Sequence, residues 1–159
     1  MLFDFWHSYI TPIFRRPPYF QVAALCYRHT AEGLEVLLIT SLDTGRWILP
    51  KGWPQAGLDA GGTALEEAWE EAGIKHKGPR PALIGSYRYD KRLKGGIPAH
   101  TKVDVFAIEV VKLLDTFPEA GQRERRWMTP DKAATLVDEP ALAELLRNAP
   151  TLLHGAPRG

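Results

Sequence analysis

Cysteine is almost missing: Cys26 is the only one in 159 residues. An intrachain disulfide is therefore excluded, and the apolar run around Cys26 marks a buried structural thiol rather than a nucleophile. Long hydrophobic runs are also missing, since none approaches the roughly 18 residues that a membrane span needs. The N-terminal stretch carries Asp4 and has neither a cationic start nor a small-residue cleavage site, so a soluble cytoplasmic protein is expected. The net charge is only +1, which gives no overall bias toward nucleic acid or a membrane surface, so any polarity must be local. No internal repeat or low-complexity tract is visible, and the length suits one domain with a real core.

What is present is concentrated between Leu49 and Ile74. The first half of this stretch is punctuated by glycine and proline; the second carries Glu66, Glu67, Glu70 and Glu71 with no base between Thr63 and Gly73. On a helix at about 100° per residue, Glu67, Glu70 and Glu71 share one face. Leu65, Ala68, Trp69 and Ala72 lie opposite, on the stripe a core would take. Clustered like charges destabilise a helix by a few tenths of a kcal/mol per pair. A solvated acidic face tolerates that cost; a hard cation removes it, and oxygen ligands of this kind suit Mg2+ or Mn2+.

The rest of the chain reads as strands and helices in mixed order. Residues 21–28 and 34–41 are expected as an antiparallel strand pair, 46–49 as a short extended piece, and 82–89 and 101–111 as further strands. Residues 90–100 are expected as an irregular loop, 123–128 as a last strand, and 130–137 and 140–146 as helices. A capping box of Thr63 with Glu66 offers one start for the acidic helix, and Gly73 ends it. Three parts follow: an aromatic-rich N-terminal extension over 1–19, a domain over 20–148 and a tail over 149–159. The extension suits packing or a homodimer contact better than a membrane, because nothing in it forms a basic amphipathic helix. The mixed order predicts an α/β fold, with helices flanking a mixed sheet.

Between Lys75 and Lys102 stand eight Lys or Arg against one acid, Asp90. An acidic helix beside a cationic segment is what a polyphosphate substrate requires, although a basic run is also a common solvated loop.

The stretch Gly52…Leu58…Glu66-Glu67-Ala68-Trp69-Glu70-Glu71-Ala72-Gly73-Ile74 resembles the signature of the Nudix hydrolase superfamily. That motif reads Gly, five residues, Glu, seven residues, then Arg-Glu-apolar-x-Glu-Glu-x-Gly-apolar. Two positions depart: Leu58 replaces Glu and Glu66 replaces Arg. In the family this Arg and Glu can pair and brace the loop against the helix; here both members are gone, which is less harmful than losing half of a pair.

The resemblance implies a Nudix-type α/β/α sandwich and hydrolysis of a diphosphate linkage by water attack at phosphorus. It also places the helix cap near Asp59, the start preferred over Thr63. It places Glu67 and Glu71 on the metal together with the Gly52 carbonyl, and Glu70 as general base, with the roles open to exchange. The cations expected on the substrate are Arg46 and Lys51 around the glycine loop, Lys91, Arg92, Lys94 and Lys102 in the basic segment, and Arg123. Asp104 and Glu124 are weaker candidates for an additional metal ligand, His100 for catalysis and Trp53 for base stacking.

Blocks such as Val22–Arg28, Glu35–Ser41, Arg46–Ile48 and Arg123–Trp127 are similar to the diphosphoinositol polyphosphate phosphohydrolase branch, which also degrades diadenosine polyphosphates. Gln21 in place of a basic residue and Lys51-Gly52-Trp53 in place of a glycine run depart from it. They point away from inositol pyrophosphates and leave a phosphate-rich small molecule such as a dinucleoside polyphosphate. A regulatory nucleotide-binding module without turnover and an RNA 5′-end pyrophosphohydrolase are the alternatives; the second needs a nucleic-acid track that the charge of +1 does not announce.

Overall fold

The computed structural model describes residues 19–154 apart from Pro79 and, for Arg92, Lys94 and His154, the backbone. Except for Tyr19, the aromatic extension lies outside the described residues, and the dimer contact expected of it lies there too.

Strand β1 (Tyr19–Thr30) is the centre of the molecule. It turns at Ala31-Glu32 into β2 (Gly33–Thr40), with Thr30 paired to Gly33 across the hairpin. Gly33 has φ +127, which the tight turn requires and a side chain would resist. On its other edge β1 runs parallel to β7 (Pro98–Leu113), with Gln21 opposite Val103. Short strands β3 (Trp47–Ile48) and β8 (Arg125–Met128) pair with β2, β4 (Lys51–Gly52) with β1, and β5 (Ile74–His76) and β6 (Ala82–Arg92) with β7. The sheet is therefore mixed.

Both faces of β1 are buried, which is why Val22–Tyr27 reads as a continuous apolar run rather than an alternation. Val22, Ala24 and Cys26 face helix α1 (Ala60–Ala72), whose Ala64, Ala68 and Ala72 are fully buried. Ala23, Leu25 and Tyr27 face the opposite layer, made by α2 (Pro130–Leu136) and α3 (Pro140–His154). This is the expected α/β/α sandwich. Cys26 is buried as expected, and burial pushes its thiol well up.

Four local expectations need correction. Residues 90–100 are not an irregular loop: β6 runs on to Arg92, a single 3-10 turn covers Lys94–Gly96, and β7 begins at Pro98. Gly95 and Gly96, at φ +82 and +77, let the chain reverse tightly enough for Arg92 to pair with Pro98. The last helix does not stop at Leu146. Leu146, Ala149 and Leu153 continue one buried stripe, and this packing carries the helix through Pro150 to His154 despite the lost backbone bond. Residues 149–154, expected in the tail, are therefore helical. Strand β5 was not anticipated. Finally, the buried row of α1 is Ala64, Ala68 and Ala72, whereas Trp69 is half-buried and belongs to neither core.

Candidate active site

Helix α1 is fixed at both ends. Asp59 caps it, accepting a 2.7 Å hydrogen bond from the Gly62 amide, and its other oxygen pairs with Arg80. The start is thus at Asp59, not Thr63. A Cβ at Gly62 would stand 3.0 Å from the capping oxygen, so the first turn has little room for a side chain there. At the other end Gly73 takes φ 67, and Arg125 donates to the Ala72 and Leu114 carbonyls at 2.9 and 2.8 Å. The last turn is therefore tied to the chain after β7.

Beside the alanine row of α1 runs a second buried row, Thr63, Glu67 and Glu71, at i, i+4 and i+8. Each member accepts from the loop before the helix. Thr63 Oγ1 takes the Gln55 amide at 3.4 Å, Glu67 Oε1 takes Gln55 Nε2 at 3.0 Å, and Glu71 Oε2 takes the Lys51 amide at 3.2 Å. This row does the bracing that the absent Arg–Glu pair would do. Leu58 is accordingly 44% exposed, and Glu66 sits half-buried beside Glu70.

Gly52 lies directly against Glu67. A Cβ there would fall 2.8 Å from Oε2 and closer still to Oε1, so only glycine leaves the carboxylate its place. Glu71 is pushed up to about 8, chiefly by burial, with the Glu67 charge adding and Arg123 opposing. Glu70 is less buried and shifted upward by desolvation and its hydrogen bond to Glu66. The structure brings Glu67, Glu71 and Gly52 together, with Glu70 one helix step away. Among the described residues no three His, Cys, Asp or Glu side chains form a ready metal cage. The acidic donors at β4 are two carboxylates, a set that fits a hard divalent cation completed by substrate oxygens.

The expected cations separate into groups. Lys51 is half-buried, and desolvation lowers its ammonium to about 8 against the opposing pull of Glu71 and Glu139. Its Nζ stands 5.2 Å from the Tyr89 ring, and the Lys91 and Arg46 charges are felt there. Lys91 lies over the Trp53 indole at 5.6 Å. Arg46 turns to Asp138 at 3.0 Å and Glu139 at 3.6 Å. Arg123, only 9% exposed, reaches Glu119 at 3.1 Å, the Thr40 carbonyl at 3.1 Å and Glu71 at 3.6 Å. It is committed to protein partners and positions Glu71. Lys102 is paired with Asp104 at 3.6 Å. Arg92 ends β6 and Lys94 opens the turn at the hairpin tip.

Asp104 and Glu124 are taken up by Lys102 and Arg126. His100 is 82% exposed, with Nδ1 2.6 Å from Asp90, away from the carboxylates. Glu139 was not anticipated. It precedes Pro140 at the start of α3, is 9% exposed, and its Oε2 has no hydrogen-bond partner among the described residues. An acid directly before a helix-opening proline was the signal available. Gln55 and Tyr89, the latter donating to Gln21 Oε1 at 2.5 Å, carried no such signal.

Among solved structures, the chain is similar to the C. elegans Ap4A hydrolase in a binary complex, at 22% identity and TM-score 0.64, covering 86% of this chain and 98% of that one. It is also similar to the NUDIX domain of Shewanella oneidensis NrtR complexed with ADP ribose, at 15% identity and TM-score 0.62 over 92% and 97%. The E. coli dihydroneopterin triphosphate pyrophosphohydrolase aligns at 16% and 0.62 over 86% and 96%. These likenesses are of fold. Among curated proteins none matches the chain by sequence. The NUDIX domain model matches residues 19–149, the span that holds the sandwich, Gly52 and the glutamate row: the chain belongs to the NUDIX domain family.

Proposed function

We propose that the protein is a Mg2+- or Mn2+-dependent pyrophosphohydrolase acting on a phosphate-rich small molecule of the dinucleoside polyphosphate kind. The observation that carries this reading is the contact of Gly52 with Glu67 and of the Lys51 amide with Glu71, which sets two buried carboxylates against one short strand. Glu67 and Glu71 would hold the ion; when bound, it supplies neutralisation of phosphate oxygens and acidification of a water. Glu70, not tied to the loop, takes the proton of the attacking water as the anhydride P–O bond breaks. Lys51 and Lys91 neutralise the phosphate chain, and Arg123 keeps Glu71 aimed at β4.

Phosphate release from diadenosine polyphosphates, nucleotide sugars and inositol pyrophosphates, with and without Mg2+ or Mn2+, tests the reading. Turnover of a dinucleoside polyphosphate should require the metal and fall about 100- to 10,000-fold in Glu70→Gln, the range for losing a general base.

Leu58 and Glu66, the two departures from the family signature, favour a second reading, in which the domain binds nucleotides and regulates without turnover. Saturable nucleotide binding with no hydrolysis of any substrate in the panel would support that reading instead.

A further inference from the structure

Strand β4 has only two residues, and consecutive strand residues point to opposite faces of a sheet. Gly52, paired with Val22, lies on the α1 face against Glu67, whereas Lys51, paired with Ala23, lies on the face covered by α2 and α3. There its Nζ stands 5.2 Å from the Tyr89 ring, and the charge of Glu139, at the start of α3, is felt by Lys51, Tyr87 and Tyr89 alike. Glu139 is buried; its Oε1 lies 3.6 Å from Arg46, and its Oε2 has no hydrogen-bond partner among the described residues. We infer that Glu139 is a specificity-determining residue: its under-compensated carboxylate limits the negative charge that the Arg46 and Lys51 side of the site accepts, so that a linear polyphosphate chain is admitted and a densely phosphorylated ring is turned away.

The inference rests on the reading of the carboxylate site as an anhydride-cleaving centre and narrows its substrate class. Fastening α3 to the sheet does not account for Glu139, because Asp138, 65% exposed, already takes Arg46 at the shorter distance of 3.0 Å. A buried carboxylate with an unpaired oxygen costs free energy that an apolar side chain would not. What it supplies is charge in a place that water and salt screen poorly. Arg46 and Lys51 bring two positive charges to this side, and Glu139 cancels one of them where a neutral residue would leave both. A phosphate chain passing Lys51 toward β4 presents few charges to the one that remains. A ring phosphorylated on every carbon faces Glu139 with an anion in any orientation, and repelling the wrong ligand discriminates as well as attracting the right one.

The test measures binding of pyrophosphate, tripolyphosphate and inositol hexakisphosphate, which rise in charge in that order, to the full chain by calorimetry in excess Mg2+, near neutral pH and at low ionic strength. Glu139→Gln keeps the shape and removes the charge, and Glu139→Leu fills the space without a polar atom. Both should tighten inositol hexakisphosphate roughly 5- to 30-fold, the Coulomb gain for several phosphates within a Debye length of one charge. Tripolyphosphate should gain less and pyrophosphate least, and added salt should shrink every gain. Glu139→Asp should keep the wild-type preference, and Asp138→Asn, at an exposed acid on the same arginine, should stay within about twofold of it. Gains independent of ligand charge, no gain, a loss for every ligand, or the same gain in Asp138→Asn would each overturn the inference.

Hydrolysis of diadenosine tetraphosphate by the wild type, followed in parallel, separates this inference from the reading beneath it. Turnover with a charge preference that Glu139→Gln does not move removes the filter and keeps the hydrolase. A charge-dependent gain in Glu139→Gln without turnover of any anhydride does the reverse.

Discussion

Replacing Gly52 with alanine should separate activity from stability. The added Cβ would stand 2.8 Å from Glu67 Oε2 and nearer to the rest of the carboxylate. The backbone cannot retreat easily, because Gly52 is paired with Val22 of the buried central strand. The Glu67 side chain, flexible at its far end, has to swing and release Gln55 Nε2 at 3.0 Å. Losing one hydrogen bond to a charged acceptor costs about 1.5–3 kcal/mol, and replacing glycine in a strand returns about 0.5–1 kcal/mol of backbone entropy. The net loss is about 1.5 kcal/mol, or roughly 3–6 °C in Tm for a domain of this size. A carboxylate displaced by an ångström or more should lower kcat/KM by about 100-fold. Calorimetric melting, Mn2+ titration and phosphate release on the same preparation read the three quantities. In a double-mutant cycle Gly52→Ala should add little to Glu67→Gln, since both act on one carboxylate. Unchanged activity, or a collapse of Tm that accounts for the activity loss, would refute the reasoning.

Asp59→Ala removes the helix cap and should cost about 1 kcal/mol in urea denaturation, with catalysis following only modestly. Arg123→Ala leaves Glu119 and Glu71 without their shared cation; because Glu71, raised to about 8, takes a proton instead of standing charged, a loss of about 1–3 kcal/mol, read from the urea midpoint, is expected for the hydrogen bonds removed. The metal-free protein should show an unusual pH dependence. Glu71 is raised from 4.5 to about 8, so the folded state holds a proton that the unfolded state has released, and stability should fall as pH rises from about 4.5 to about 8. Lys51, lowered from 10.5 to about 8, works in the opposite sense, adding stability between about 8 and 10.5 as the unfolded ammonium outlasts the folded one. Urea midpoints should therefore pass through a minimum near pH 8, and Glu71→Gln should remove the falling limb.

The acidic face of the helix and its terminating Gly73 were legible in the sequence because each depends on neighbours within one or two helical turns, whereas the local capping signal pointed to Thr63 and only the family resemblance pointed to Asp59. The central strand pair was legible for the same reason, being joined by a two-residue turn. Residues 90–100 were misread because Gly95-Gly96 signal a break without giving its length, and only the pairing with β7 shows that the break spans a single turn. Pro150 carried a local helix-breaking signal that the buried stripe of α3 overrides. In the site, identity of charge was visible and its destination was not. Arg123 and Lys51 were expected on the substrate, and both have protein partners distant in sequence, Glu71 among them. Glu139 reached the site from the start of α3, a placement fixed by the opposite layer of the sandwich.

The three acceptors of α1 that grip the loop also set a rule about length rather than identity. Thr63, Glu67 and Glu71 repeat every four residues, and their donors occupy fixed places between Lys51 and Gln55. Inserting or deleting one residue in that loop would put every donor out of step with its acceptor at once, as a skipped tooth derails a rack and pinion. Leu58, beyond the last donor, lies outside the meshing, which is how this chain does without the glutamate of the family signature there. Homologous chains should therefore hardly ever differ in the number of residues between the strand and the helix.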